Sequence, residues 1–205
     1  MKKAFFCGIF LAGMLGAQEF SKLTFNVGAG FSTPVGATAE NVNTGWNVRA
    51  GGGMNFNSRF GVMIDGGFDV MGVSSGDLNY LGYGKGNLSV FSLTLDPIVH
   101  LTPKGPVDIY ITGGGGYFHQ TLDFKNGQPY ASTVTLPFFP YLPTNPMGNS
   151  FYGNVSDNKP GIDAGAGIEF GHKWGGKFFA EARYDRIFTG TYHTDYIPVT
   201  FGFRR

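Results

Sequence analysis

The sequence predicts an all-β fold, an eight-stranded antiparallel up-and-down barrel that crosses a membrane. Three observations predict it. Of 205 residues 34 are Gly, 16% are aromatic and only 14% are charged, against roughly 7% Gly and 25% charge in ordinary soluble domains. Apolar and polar residues alternate with period two over eight segments of about ten residues, the signature of strands with one apolar face. The connections between segments alternate short and long.

The first seventeen residues are set apart. Lys2 and Lys3 are followed by an apolar stretch too short to span a bilayer and by the small pair Gly16 and Ala17, so 1–17 is expected to be a secretory signal peptide and 18–205 the barrel. Its removal takes away Cys7, the one cysteine. An exported chain without disulfides must find its stability in packing and hydrogen bonding. Beyond residue 17 no apolar run reaches the length of a membrane helix.

In the first segment Leu23, Phe25, Val27, Ala29 and Phe31 alternate with Thr24, Asn26, Gly28, Gly30 and Ser32. The second (46–56) sets Trp46, Val48 and Ala50 against Asn47, Arg49 and Gly51, and the third (60–69) sets Phe60, Val62, Ile64 and Phe68 against Met63, Asp65 and Asp69. The fourth (91–96) sets Phe91, Leu93 and Leu95 against Ser92, Thr94 and Asp96; the fifth sets Val107, Ile109 and Ile111 against Asp108, Tyr110 and Thr112 and runs on through glycines 113–116. The sixth (162–170) sets Ile162, Ala164, Ala166, Ile168 and Phe170 against Asp163 and Glu169. In the seventh (178–185) Phe178, Ala180, Ala182 and Tyr184 oppose Glu181, Arg183 and Asp185, and in the eighth (197–203) Ile197, Val199, Phe201 and Phe203 oppose Pro198, Thr200 and Gly202. Tight turns are expected at 57–58, 102–106 and 173–177, and longer loops at 33–45, 73–87, 125–159 and 189–195. Short turns on one side and long loops on the other are the arrangement of an outer-membrane barrel, with both chain ends on the short-turn side.

Charge placement decides between a membrane barrel and a soluble one. A soluble barrel studs its polar face with Lys and Glu, whereas here Lys22, Lys85, Lys104, Lys125, Lys159, Lys173 and Lys177 are all expected at strand ends, turns or loops. Aromatic placement agrees: Trp46, Tyr117, Tyr184, Phe188 and Tyr196 are expected at the outer interface, and Trp174, Phe56, Phe60, Phe170, Phe178 and Phe203 at the inner one. Lipid and lipopolysaccharide are therefore the expected surroundings. A net charge of +1 without a basic cluster leaves no footprint for nucleic acid.

The segments FSLTLDPIVH (91–100), GGGGY (113–117), NKPGIDAGAG (158–167), EARYDRIF (181–188) and TDYIPVTFG (194–202) resemble an uncharacterised family of bacterial outer-membrane β-barrel proteins. The general organisation resembles the small eight-stranded barrels of the OmpA and OmpX type. The resemblance implies location in the cell outer membrane, no transferable activity, and a terminal aromatic residue read by the barrel-assembly machinery. The chain ends on Phe203, Arg204 and Arg205, so Phe203 is the expected stand-in.

Eight strands enclose an interior that side chains roughly fill. The expected lumen set is Asp65, Asp69, Asp96, Asp108, Asp163, Glu169, Glu181 and Asp185 against Arg49 and Arg183, with His100 at its margin. Carboxyls so confined must share protons or pair with the arginines. That network reads either as a hydrogen-bonded plug or, because inward Gly28, Gly30, Gly51, Gly53, Gly165 and Gly167 leave room for water, as a narrow path for small solutes or ions.

The enzymatic alternative is a lipid A-modifying barrel, for which His119 with Thr121 and His193 with Thr194 and Asp195 are the candidates; neither has a His-x-Ser pattern. His100, His119, His172 and His193 lack metal-ligand spacing, so neither metal nor cofactor is expected. The glycine runs are followed by strand rather than helix and have no Lys-Ser/Thr, which excludes a phosphate loop. The loop 125–159 interleaves Pro129, Pro137, Pro140, Pro143 and Pro146 with Tyr130, Phe138, Phe139, Tyr141, Phe151 and Tyr152. It is expected either to meet a surface ligand or to fold back as a lid.

Overall fold

The computed structural model describes residues 22–81, 84–125, 153–171, 176–190 and 193–205. The expected signal peptide, Trp174, His172, Lys173 and the 126–152 part of the long loop lie outside the described residues. Eight antiparallel strands close into one barrel in chain order: β1 (Leu23–Pro34), β2 (Gly45–Asn55), β3 (Phe60–Gly72), β4 (Lys85–His100), β5 (Val107–Lys125), β6 (Gly153–Gly171), β7 (Lys177–Phe188) and β8 (His193–Arg204). Closure is made by β1 on β8, with Val27 opposite Phe203 and Phe31 opposite Val199. A 3-10 turn (Gly36–Glu40) sits in the first long loop and a short helix α1 (Ser75–Leu81) in the second.

Even without a partner the apolar row faces outward. Phe25, Ile64, Leu95 and Phe201 are each more than half exposed, while their polar neighbours Asn26, Asp65, Asp96 and Thr200 are buried inside. An exposed girdle of this kind is stable only against hydrocarbon. On β5 it runs from Val107 to Tyr117, the ~9–11 residues that a tilted strand needs to cross a bilayer core. Aromatic rings collect at both margins. Trp46 packs edge-on against Phe68 at 5.9 Å at the outer margin, and Phe178 sits 6.0 Å from Phe170 and 5.8 Å from Phe203 at the inner one. Tyr117 and Tyr184 face outward from β5 and β7.

Three strands continue well past the girdle. The fourth, fifth and sixth segments predict strands over 91–96, 107–116 and 162–170, whereas β4 starts at Lys85 and runs on to His100, β5 continues to Lys125 and β6 starts at Gly153. The inside-outside parity is unbroken there, but on β4 and β5 the polarity inverts, while β6 places Asp157 and Lys159, partly exposed, at inward positions. Above Tyr117 the outward positions become His119, Thr121, Asp123 and Lys125, and the inward ones Phe118, Leu122 and Phe124. On β4, Asn87 and Ser89 likewise face out while Leu88 and Val90 are buried. A strand with an apolar inside and a polar outside is the soluble kind, so these segments form a collar standing in water above the membrane. Met71, Val73, Val42, Leu78 of α1, Ile187 and Tyr196 complete its apolar filling.

Two expectations are corrected by this geometry. Tyr196 is not at the interface: it is completely buried inside the collar, where its even-numbered parity on β8 puts it. Lys159 lies within β6 rather than in a loop, partly exposed and 3.2 Å from Asp157. It is above the girdle, so no lysine among the described residues lies in the middle of a membrane-crossing segment.

Candidate functional site: the charged lumen

The lumen is built by alternation alone: each inward position of a strand delivers one side chain, and neighbouring strands bring acids and bases to the same height. Asp65, Asp69, Asp96, Asp108, Asp163, Glu169, Glu181, Asp185, Arg49 and Arg183 are all buried in it, none more than 5% exposed. They form three tiers. In the outer tier Arg49 of β2 meets Asp185 of β7 across the barrel at 2.7 Å, and the Ser32 hydroxyl donates to Asp69. Asn47 donates to Ser32 at 3.1 Å and accepts from Thr200 at 3.0 Å, tying β1, β2 and β8 together.

Arg183 of β7 occupies the middle. Its guanidinium donates to Asp65 at 2.7 Å, to Asp96 at 2.5 Å and to Glu181 at 2.5 Å, with Asp163 at 3.5 Å. One planar, permanently charged fork thus holds carboxylates from β3, β4, β6 and β7, a task that suits Arg and not Lys. Asn26 adds a donor to Asp65 at 2.9 Å.

The inner tier, on the side of the chain ends and short turns, holds a residue that sequence reasoning left out. Arg204 turns inward from β8, pairs with Glu169, approaches Glu181 at 3.5 Å, and lies over the rings of Tyr110 (4.6 Å) and Phe179 (5.0 Å). Its signal was present, since the alternation of the last segment continues from Thr200 through Gly202 to 204. Tyr110 donates to Glu181 at 2.8 Å. Lys177 reaches in from the start of β7 to Glu169 at 3.0 Å and Asp108 at 3.5 Å, and His100 Nδ1 is 2.7 Å from Asp108. Spacing in the chain gave the histidines no ligand set, yet closure of the barrel brings His100, Asp108 and Glu169 together, with a potential ligand atom from each within 4.8 Å of the others.

At several inward glycines large side chains pass close to the backbone. A Cβ on Gly51 would collide with Asp65 Oδ1, one on Gly167 with the Tyr110 hydroxyl, and one on Gly165 would lie 2.6 Å from Arg183 Cγ. At Gly30 and Gly53 the neighbouring strand's backbone fills the space instead.

Of the two histidine pairs, His119 Nε2 lies 3.2 Å from the Thr121 hydroxyl on the outer face of the collar, but the partner of Nδ1 is Asn158 at 2.5 Å rather than an acid. The second pair is split. His193 packs against Phe188, Thr194 turns inward to Gln120, and Asp195 is held by Arg186 at 2.9 Å.

No protein-family model and no curated protein sequence matches the chain. Solved structures do. The chain is similar to Neisserial surface protein A (TM-score 0.59, 12% identity, 90% of this chain and 96% of that one). It is also similar to a major outer membrane protein from Thermus thermophilus (0.58, 13%, 89% and 97%) and to the outer membrane protein OprG from Pseudomonas aeruginosa (0.51, 14%, 88% and 94%). At such identities the likeness is one of fold, and the fold is that of the small transmembrane barrels of the bacterial outer membrane.

Proposed function

We propose that this outer-membrane barrel is a closed, non-enzymatic scaffold whose work is done by what it displays outside the cell. The observation that carries the reading is the double closure of the lumen. Three tiers of paired charge fill the membrane-crossing part, and an apolar cluster fills the collar above it. Ions would have to break buried pairs in the first and pass an apolar cluster in the second. The surface role falls to the polar exterior of the collar and to the 126–152 connection, whose six aromatics and five prolines suit contact with a ligand or with surface polysaccharide.

Planar-bilayer recording tests the closure. Purified barrel is expected to give no stepwise conductance, and reproducible single-channel steps would replace this reading with the narrow channel. Deletion of 128–150 tests the display: the shortened chain is expected to keep its heat-modifiable migration while losing binding to immobilised lipopolysaccharide, and undiminished binding contradicts the role of the loop. Mass spectrometry of lipid A from cells with and without the protein reads the enzymatic alternative, for which the expected result is no mass change.

A further inference from the structure

We propose that His100, Asp108 and Glu169 form a binding site for a borderline divalent transition metal at the inner mouth of the barrel, with the Lys177 ammonium as its place-holder. Imidazole nitrogen and carboxylate oxygen are both ligands that Zn²⁺ accepts, and three protein ligands leave a fourth position open. They come from three strands, β4, β5 and β6, and their ligand atoms already lie within 4.8 Å of one another. The second observation is an orphan. Asp108 is 3% exposed; its Oδ2 meets His100 and Lys177, and its Oδ1, like single oxygens of Asp69, Asp96 and Asp185 elsewhere in the lumen, has no hydrogen-bond partner. A buried carboxylate oxygen left bare is costly, and a bound cation removes that cost.

Lys177 explains how the site exists without a metal. Its ammonium bridges Asp108 and Glu169 at 3.5 and 3.0 Å, where a cation's charge belongs. Unlike the other members it is 43% exposed and sits on the first residue of β7, so its flexible stem can swing out of the mouth. Arg204 stays behind on Glu169 Oε1, which leaves Oε2 for the metal, and the Tyr110 ring 5.8 Å from His100 limits the tilt of the imidazole. Glu181, the remaining nearby carboxylate, is already taken by Arg183, Arg204 and Tyr110. Exchanging an ammonium for a divalent ion links three strands through one centre.

The test is calorimetric titration of the untagged, refolded full chain with Zn²⁺ alone, after chelator treatment. One saturable equivalent is expected. His100→Gln and Asp108→Asn are each expected to weaken it by roughly 10-fold or more, as losses around metal ligands do. Lys177→Met is expected to tighten it about tenfold by removing a competing like charge. A heat-modifiability gel confirms that each variant is folded, and the Lys177 variant keeps the test alive should a ligand variant fail to fold. Absence of a saturable equivalent, titration unchanged in His100→Gln, or weaker binding in Lys177→Met each overturns the proposal.

Discussion

Arg183 is the residue whose loss the barrel can least absorb. Its guanidinium is 3% exposed and serves Asp65, Asp96 and Glu181 directly, with Asp163 close by. Replacement by Met keeps the volume and strands those carboxylates, and breaking a buried pair in this way costs about 3–5 kcal/mol. Arg183→Met is therefore expected to lose its folded, fast-migrating band in detergent at a clearly lower temperature than the parent, with Arg183→Lys intermediate because a point charge cannot fork. An unchanged transition for Arg183→Met would show that the network is not what rigidifies the lumen. At this scale parity made the sequence legible: most acids of the odd-even pattern, such as Asp69, Asp108, Asp163 and Glu169, could be placed inside because each sits between two outward apolar residues. Which acid meets which base was not legible, since Arg49 and Asp185 are 136 positions apart and are brought to one height only by strand register. Arg204 was missed because the pattern was ended at the last aromatic, and Tyr196 was misplaced by its aromatic character when its parity already pointed inward.

The strands themselves were legible in number and direction, because an apolar row alternating with a polar row that carries no mid-strand lysine suits a membrane-crossing strand. Their lengths were not. On β4 to β6 the outward row turns polar above Phe91 and Tyr117, and a reading keyed to apolar outward positions stops there although the hydrogen-bonded ladder does not. β4 allows a comparison within one strand, since Leu95 and Asn87 both face outward, the first in the girdle and the second on the collar. Leu95→Arg is expected to destabilise the barrel in lipid vesicles by roughly 2–4 kcal/mol and Asn87→Arg by about 0–1 kcal/mol. Denaturant titration measures both, and equal penalties would contradict the boundary between girdle and collar.

For the molecule as a whole, the alternation of short and long connections was sufficient to order the strands, and the closed order β1 to β8 follows it without a crossover. What the sequence did not reveal was the apolar stopper of the collar, whose alternating runs on β4 and β5 have a polar outward row and are completed by single residues from other strands, a loop and α1. The central claim is that one row of each strand meets hydrocarbon while the other is shut away from water, and that the outer row passes into water at the collar. Cys7 is the only cysteine and lies in the expected signal peptide, so single cysteines along β5 can carry a spin label in a bilayer. Collision with dioxygen and with a water-borne nickel chelate should then report lipid contact at 109, 111 and 117, protection from both at 110 and 112, and water contact at 121 and 123. Nickel contact at 109 and 111, or no difference between odd and even positions, would contradict the account.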